Sequence, residues 1–186
     1  DGIVKVHRST DGGLTWTCAG TICDNFAGAE GSQWGGGVAV MPDGELIAGL
    51  RICRQIGVDA TLFLVRSRDG GLSWSAPEPV NVEPCGKLGG IGAITGLPDG
   101  TLLVVCCSHH FPIDGVTDLN AYVLRTTDDG QTWDYGTLID GAHWAMGSMC
   151  EVAPDVVLYC YWDDYSTLMR MQRFRVEPDG LQPVEP

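Results

Sequence analysis

Ser67-Arg68-Asp69-Gly70-Gly71-Leu72-Ser73-Trp74 is written three times in this chain, each time with small changes. Ser9-Thr10-Asp11-Gly12-Gly13-Leu14-Thr15-Trp16 precedes it and Thr126-Thr127-Asp128-Asp129-Gly130-Gln131-Thr132-Trp133 follows, so the three tryptophans fall 58 and 59 residues apart. So regular a spacing marks a structural repeat. A short apolar run leads into each copy (Val4 to Val6, Leu62 to Val65, Ala121 to Leu124), and a second run leaves it. The motif therefore reads as the turn of a β-hairpin. In that turn Asp11, Asp69 and Asp128 can bond back to the turn's own amides, while Gly13, Gly71 and Gly130 supply a positive φ. Trp16, Trp74 and Trp133 then fold over the hairpin as an apolar lid.

A second turn repeats in step with the first. Pro42-Asp43-Gly44 recurs as Pro98-Asp99-Gly100 after 56 residues, and Ala153-Pro154-Asp155 follows after another 56, with Val156 where the glycine is expected. Each unit is thus two hairpins, which make one four-stranded blade with strands A to D. The expected arrangement is a single domain over 1–186: a half-blade at 1–22, then blades at 35–80, 90–139 and 145–183. The last blade closes through Glu177-Pro178-Asp179-Gly180 in place of the longer motif. The fold class is all-β, a β-propeller of about three and a half blades. An open array leaves apolar edges bare, which such folds avoid. The missing blades are expected from the rest of a longer chain or from a second copy.

The three motifs resemble the Asp box, Ser/Thr-x-Asp-x-Gly-x-Thr/Ser-Trp, of the sialidase (neuraminidase) superfamily. The resemblance spans essentially the whole chain and implies a six-bladed propeller in which the boxes, Asp11, Gly13, Trp16, Asp69, Gly71, Trp74, Asp128, Gly130 and Trp133 among them, are structural. It also implies a glycoside hydrolase of the exo-α-sialidase type. That family clamps its substrate carboxylate with three arginines, uses a Glu-assisted Tyr as nucleophile and an Asp as acid/base, outside the usual two-carboxylate scheme. Its arginine at the end of strand B matches Arg51, and Asp59 lies in the sort of loop that carries the acid/base. Its strand-A glutamate falls on Gly35, Ile91 and Met146 or Gly147, none of them acidic, and Tyr161 and Tyr165 are the tyrosines at hand.

Composition narrows the partners. The formal net charge is −13 over 186 residues, opposite to the basic footprint of a nucleic-acid binder. No apolar run approaches membrane-spanning length. No cofactor and no metal site is expected: no loop carries the oxygen-ligand run of a calcium site, and the eight cysteines show no zinc spacing. Cys18 and Cys23 bracket a short stretch and are the expected disulfide. Cys150 and Cys160 flank one hairpin, and Cys106 and Cys107 point to opposite faces of one strand.

Blade topology sorts the remaining candidates. The A–B and C–D turns share one face, so the longer loops (23–34, 51–60, 81–91, 107–120, 140–147 and 162–166) share the other, where function belongs. They carry Trp34, Arg51, Arg54, Asp59, His109, His110, Asp114, Asp118, His143, Trp144, Trp162, Asp163 and Asp164. Trp34 and Trp144 each precede a strand A, where an aromatic either stacks on a sugar or plugs the channel. Arg51, at the end of a strand B, presents a permanently charged fork suited to a carboxylate or an ion pair with Asp59. Arg54, His143, Trp144 and Trp162 complete the substrate-binding candidates. Three functions remain open: a sialidase-like hydrolase acting on a sialoside or other glycan, a non-catalytic carbohydrate-binding propeller, and a protein-interaction propeller.

Overall fold

Short aliphatic runs broken by Asp- and Gly-bearing turns leave room only for strands. The computed structural model describes residues 3–24, 33–55, 59–80, 82, 90–107, 120–140, 145–163 and 168–184. β1 (Ile3–Arg8) and β2 (Thr17–Asp24) form a two-stranded sheet, blade I. Blade II is β3 (Gln33–Val40), β4 (Leu46–Gln55), β5 (Asp59–Ser67) and β6 (Glu78–Pro79). Blade III is β7 (Gly90–Gly96), β8 (Leu102–Cys107), β9 (Asn120–Thr126) and β10 (Asp134–Asp140). Blade IV is β11 (Ala145–Ala153), β12 (Val156–Asp163), β13 (Leu168–Glu177) and β14 (Gly180–Pro183). Every sheet is an antiparallel meander in sequence order. The first strands β3, β7 and β11 lie side by side on the inside of the array.

The blades are held together face to face. Because side chains alternate along a strand, a central strand serves two neighbours at once. On β8, Leu102, Val104 and Cys106 pack toward blade II, with Ile47, Leu62 and Leu64. Leu103 and Val105 pack the other way, against Met149, Val157, Tyr159 and Phe174 of blade IV. Ala48, Leu50, Ile52 and Val65 of blade II meet Cys23 of blade I. Each fully buried aliphatic side chain contributes roughly 1.5–3 kcal/mol, so the three inter-blade layers are the core.

The Asp boxes behave as the sequence indicates. Asp69 Oδ1 accepts the amides of Leu72 (3.0 Å) and Ser73 (2.9 Å) and the Ser67 hydroxyl (2.8 Å), and the Ser67 hydroxyl accepts the Gly71 amide at 2.9 Å. Asp11 and Asp128 repeat the pattern with Thr15 and Thr132. Each indole N–H donates to the carbonyl of the box glycine: Trp16 to Gly13, Trp74 to Gly71, Trp133 to Gly130. The lid works for Trp74 and Trp133, which pack on inter-blade cores. Trp16 stays exposed, because among the described residues no sheet lies on its side of β1–β2.

An arginine stands immediately before each box, at Arg8, Arg66 and Arg125, and reaches across to the equivalent turn of the following blade. A Cβ on Gly70 would lie 3.3 Å from Arg8 Nη1. Arg66 donates to the Asp129 carbonyl (3.0 Å) and carboxylate (2.6 Å) and to buried Glu45 (2.8 Å). Arg125 donates to the carbonyls of Glu177 and Pro178 and to the Asp134 carboxylate. Arg8 only comes close to Gly70 of blade II, whereas the hydrogen-bonded clamps of Arg66 and Arg125 tie blade II to III and III to IV along the Asp-box face.

Four expectations change. Cys18 and Cys23 are not joined: both lie on β2, five residues of extended strand or about 16 Å apart, beyond the roughly 7 Å a disulfide spans. Cys150 faces Leu158 and Cys160 faces Ser148 across the β11–β12 ladder, so they are diagonal, and both thiols are unbridged. The β11–β12 turn is one residue shorter than its counterparts, pairing Ala153 with Val156. Asp155 (φ 60°), not Val156, therefore takes the left-handed slot that Gly44 and Gly100 fill elsewhere. Finally, β4 runs on to Gln55 and β5 starts at Asp59, so Arg51, Arg54 and Asp59 lie on strands. Pairing with β5 carries β4 past its first charged residue.

The box aspartates set the acid limit of the fold. The Thr15 and Thr132 hydroxyls, then the amides of the same residues, then the Ser9 and Thr126 hydroxyls hold Asp11 and Asp128 at about 2, against an ordinary 3.8. Ser73 and Ser67 hold Asp69 lower still. A carboxyl depressed on folding contributes stability above its unfolded pKa and loses it as pH falls through the folded one. Urea unfolding between pH 7 and 2 should give a plateau above about pH 4 and a decline below it. A variant with Asp11→Asn, Asp69→Asn and Asp128→Asn should be weaker at neutral pH and lack much of that decline. Among the clamps, Arg66→Met removes the buried partner of Glu45 Oε2 and the link to Asp129 and should cost about 2 kcal/mol in urea unfolding. Arg68→Met, which removes an exposed partner of the same carboxylate, should cost clearly less.

Candidate functional site

The rim opposite the Asp boxes carries the starts of β3, β5, β7, β9, β11 and β13 and the ends of β4, β8 and β12. Arg51 lies on β4 directly opposite Trp34 of β3 and Leu62 of β5. It is only 9% exposed. Alternation along β4 sends Ala48, Leu50 and Ile52 toward blade I and leaves Arg51 on the face of Ile47 and Gly49, turned toward blade III. The neighbour on that side is Ile91 of β7. A Cβ on either Gly36 or Gly49 would lie 2.0 Å from the Ile91 side chain, so the two glycines let Ile91 sink against β3 and β4. Arg51 is the next residue on that face toward the rim. Burial thus fixes the Arg51 guanidinium beside the inner strand.

Blade II brings four predicted residues to neighbouring strand positions. Trp34 pairs with Arg51, and Asp59 pairs with Gln55, next to Arg54 at an irregularity in the β4–β5 ladder. Trp162 is distant from these, near the end of β12 between Met146 and Met169, and is 44% exposed. Counted from the Pro-Asp turns, Arg51 of β4 corresponds to Cys107 of β8 and to Trp162 of β12. Trp34 likewise corresponds to Met146 and not to Trp144, because Trp34 is already inside β3. Tyr161 is stacked on Tyr159, with ring centroids 5.0 Å apart, inside the core between blades III and IV. His109, His110, Asp114, Asp118, His143, Trp144, Asp164 and Tyr165 lie outside the described residues.

The Ile91 pocket under Gly36 and Gly49 was not anticipated, although the run Gly35-Gly36-Gly37 in a strand signals a close approach. Among the described residues no three His, Cys, Asp or Glu side chains converge on a metal position. Among the described residues no helix is long and apolar enough to cross a membrane.

Stacked four-stranded meanders around an inner row of first strands define a partial β-propeller with Asp-box turns. The chain matches the BNR repeat-like domain over residues 1–176 and belongs to that family. Its fold is similar to the Hadza microbial sialidase Hz136, at TM-score 0.69 and 21% identity, over 97% of this chain and 39% of that one. It is similar to a K499G mutant of the NanB sialidase from Streptococcus pneumoniae, at TM-score 0.66 and 13% identity, over 96% and 27%. An α-L-arabinanase of Penicillium chrysogenum, solved with arabinobiose, aligns at TM-score 0.64 and 14% identity, over 99% and 55%. The chain thus spans between about a quarter and just over half of these proteins' lengths. At such identities the likeness is one of fold.

Proposed function

We propose that this chain is part of a sialidase-like glycoside hydrolase, or a divergent relative, acting on glycans at the rim where Arg51 is held. The observation that carries the reading is a buried guanidinium on the inner part of blade II in a protein of net charge −13. The overall field repels an anion at long range, so a fixed planar fork is the local device that recognises a sugar carboxylate. In this reading Arg51 binds the carboxylate and Asp59, on the adjoining strand, is the acid/base. Arg54, Trp34, His143, Trp144 and Trp162 contribute contacts to the sugar. Residues 1–186 form one propeller domain. Further blades, from the rest of a longer chain or a second copy, supply the other arginines, the glutamate and the tyrosine.

A second reading, a carbohydrate-binding propeller without catalysis, rests on Trp162. An exposed indole stands there in the strand position that Arg51 occupies in blade II. Turnover of a 4-methylumbelliferyl sialoside and an arabinofuranoside by the full-length protein separates the two. Arg51→Lys should lower kcat/KM about 100-fold, roughly 2.7 kcal/mol of transition-state binding, with the melting temperature unchanged. Absence of any hydrolysis, with glycan binding abolished in Trp162→Ala, would overturn the hydrolase reading in favour of the second.

A further inference from the structure

On the Asp-box face, away from Arg51, the groove between blades III and IV holds a cavity of about 440 Å3. Its walls include Thr101, Thr127, Trp133, Asp99, Asp155 and Glu177. One blade earlier the same groove is filled from within. Glu45 stands where Thr101 stands, and Arg68 stands where Thr127 stands. Arg68 Nε donates to Glu45 Oε1 at 2.8 Å, in the added field of Asp43 and Asp129. What remains open there, about 300 Å3, is lined chiefly by the two Pro-Asp-Gly turns.

Between blades III and IV two threonines replace both long charged side chains. Blade IV also closes through Pro178-Asp179 between paired Glu177 and Gly180, so no Asp box and no Trp lid enter the groove. The negative wall persists. Among the described residues Asp99, equivalent to Asp43, accepts only from the amide and hydroxyl of nearby Thr101, at 2.8 and 3.0 Å. Asp155 and Glu177 add two more carboxylates. Arg125, the cation at the bottom, is already engaged by Asp134 and by the carbonyls of Glu177 and Pro178.

We infer that this groove takes a guanidinium group carried by a partner peptide, an arginine from outside occupying the place that Arg68 fills one blade earlier. A planar fork can bridge carboxylates on both sides of the groove. The acidic surface draws such a ligand in. This second site is independent of any chemistry at Arg51.

Trp133 is one of the residues lining the cavity, and its indole N–H, hydrogen-bonded to Gly130 at 3.1 Å, is the reporter. Its NMR signal in the full-length protein is assigned by Trp133→Phe. The probes are N-acetylarginine methylamide, a short peptide with one central arginine, and the same peptide with citrulline. A saturable shift with the arginine peptide, at least tenfold weaker with citrulline, is expected. Tighter binding of the peptide than of the methylamide identifies a peptide and not a small metabolite as the source; equal binding would overturn the peptide assignment. Thr101→Glu with Thr127→Arg rebuilds the plug and should abolish the shift without lowering the melting temperature. Should that variant fold poorly, Asp155→Asn with Glu177→Gln should weaken binding about tenfold. No saturable shift, equal binding of citrulline, or unchanged binding in the variants that fold would overturn the inference.

Discussion

Every described four-stranded sheet in this array is stacked face to face with a neighbour, and the central strands of blades II and III must be apolar on both faces. That constraint governs the rest. It explains why β4 and β8 read as nearly continuous apolar runs instead of clean alternations, and why polar residues concentrate in the turns and at the rims. It also explains Arg51. A cation midway along such a strand is tolerated only where the pleat directs it past the aliphatic layer, which here means beyond Ile91 toward the open rim.

Apolar stacking is non-directional, so it does not by itself set how far one blade slides or rotates over the next. The turns supply that precision. Each Asp box is a rigid hydrogen-bonded knot closed by a carboxylate. Arg66 and Arg125, each directly before a box, seize backbone carbonyls or a carboxylate of the next blade's turn. Glu45 shows the same economy: one buried carboxylate collects Arg66 and Arg68 and, through Arg66, reaches Asp129 of the following blade. In the third box Asp129 accepts a left-handed φ of 64°, where its counterparts are glycines, and its carboxylate is the acid that Arg66 holds.

Much of this was legible in the sequence, because the periods of the two turns are local patterns written repeatedly. The meander order, the blade count and the internal bonding of the boxes all follow from them. What was not legible depended on partners outside the pattern. Arg51 and Asp59 looked like loop residues because polarity suggests a strand end, whereas pairing of Ile52 with Thr61 and of Gln55 with Asp59 extends the ladder. Arg66 and Arg125 share one motif position, directly before a box. Yet their targets lie 63 and 52 residues further along the chain, so only packing of the next blade reveals them. The shortened turn at Asp155 escaped for a different reason: a one-residue deletion is invisible until the hairpin register is known.

The clamps all point the same way, from one unit to its successor. Blade III therefore brings a donor for blade IV and an acceptor for Arg66 of blade II. A segment cut between equivalent points of two successive units carries both halves of the coupling. Copying or removing such a segment leaves every remaining junction chemically matched. In evolutionary terms this makes blade number a free variable, because the coupling specifies only what comes next.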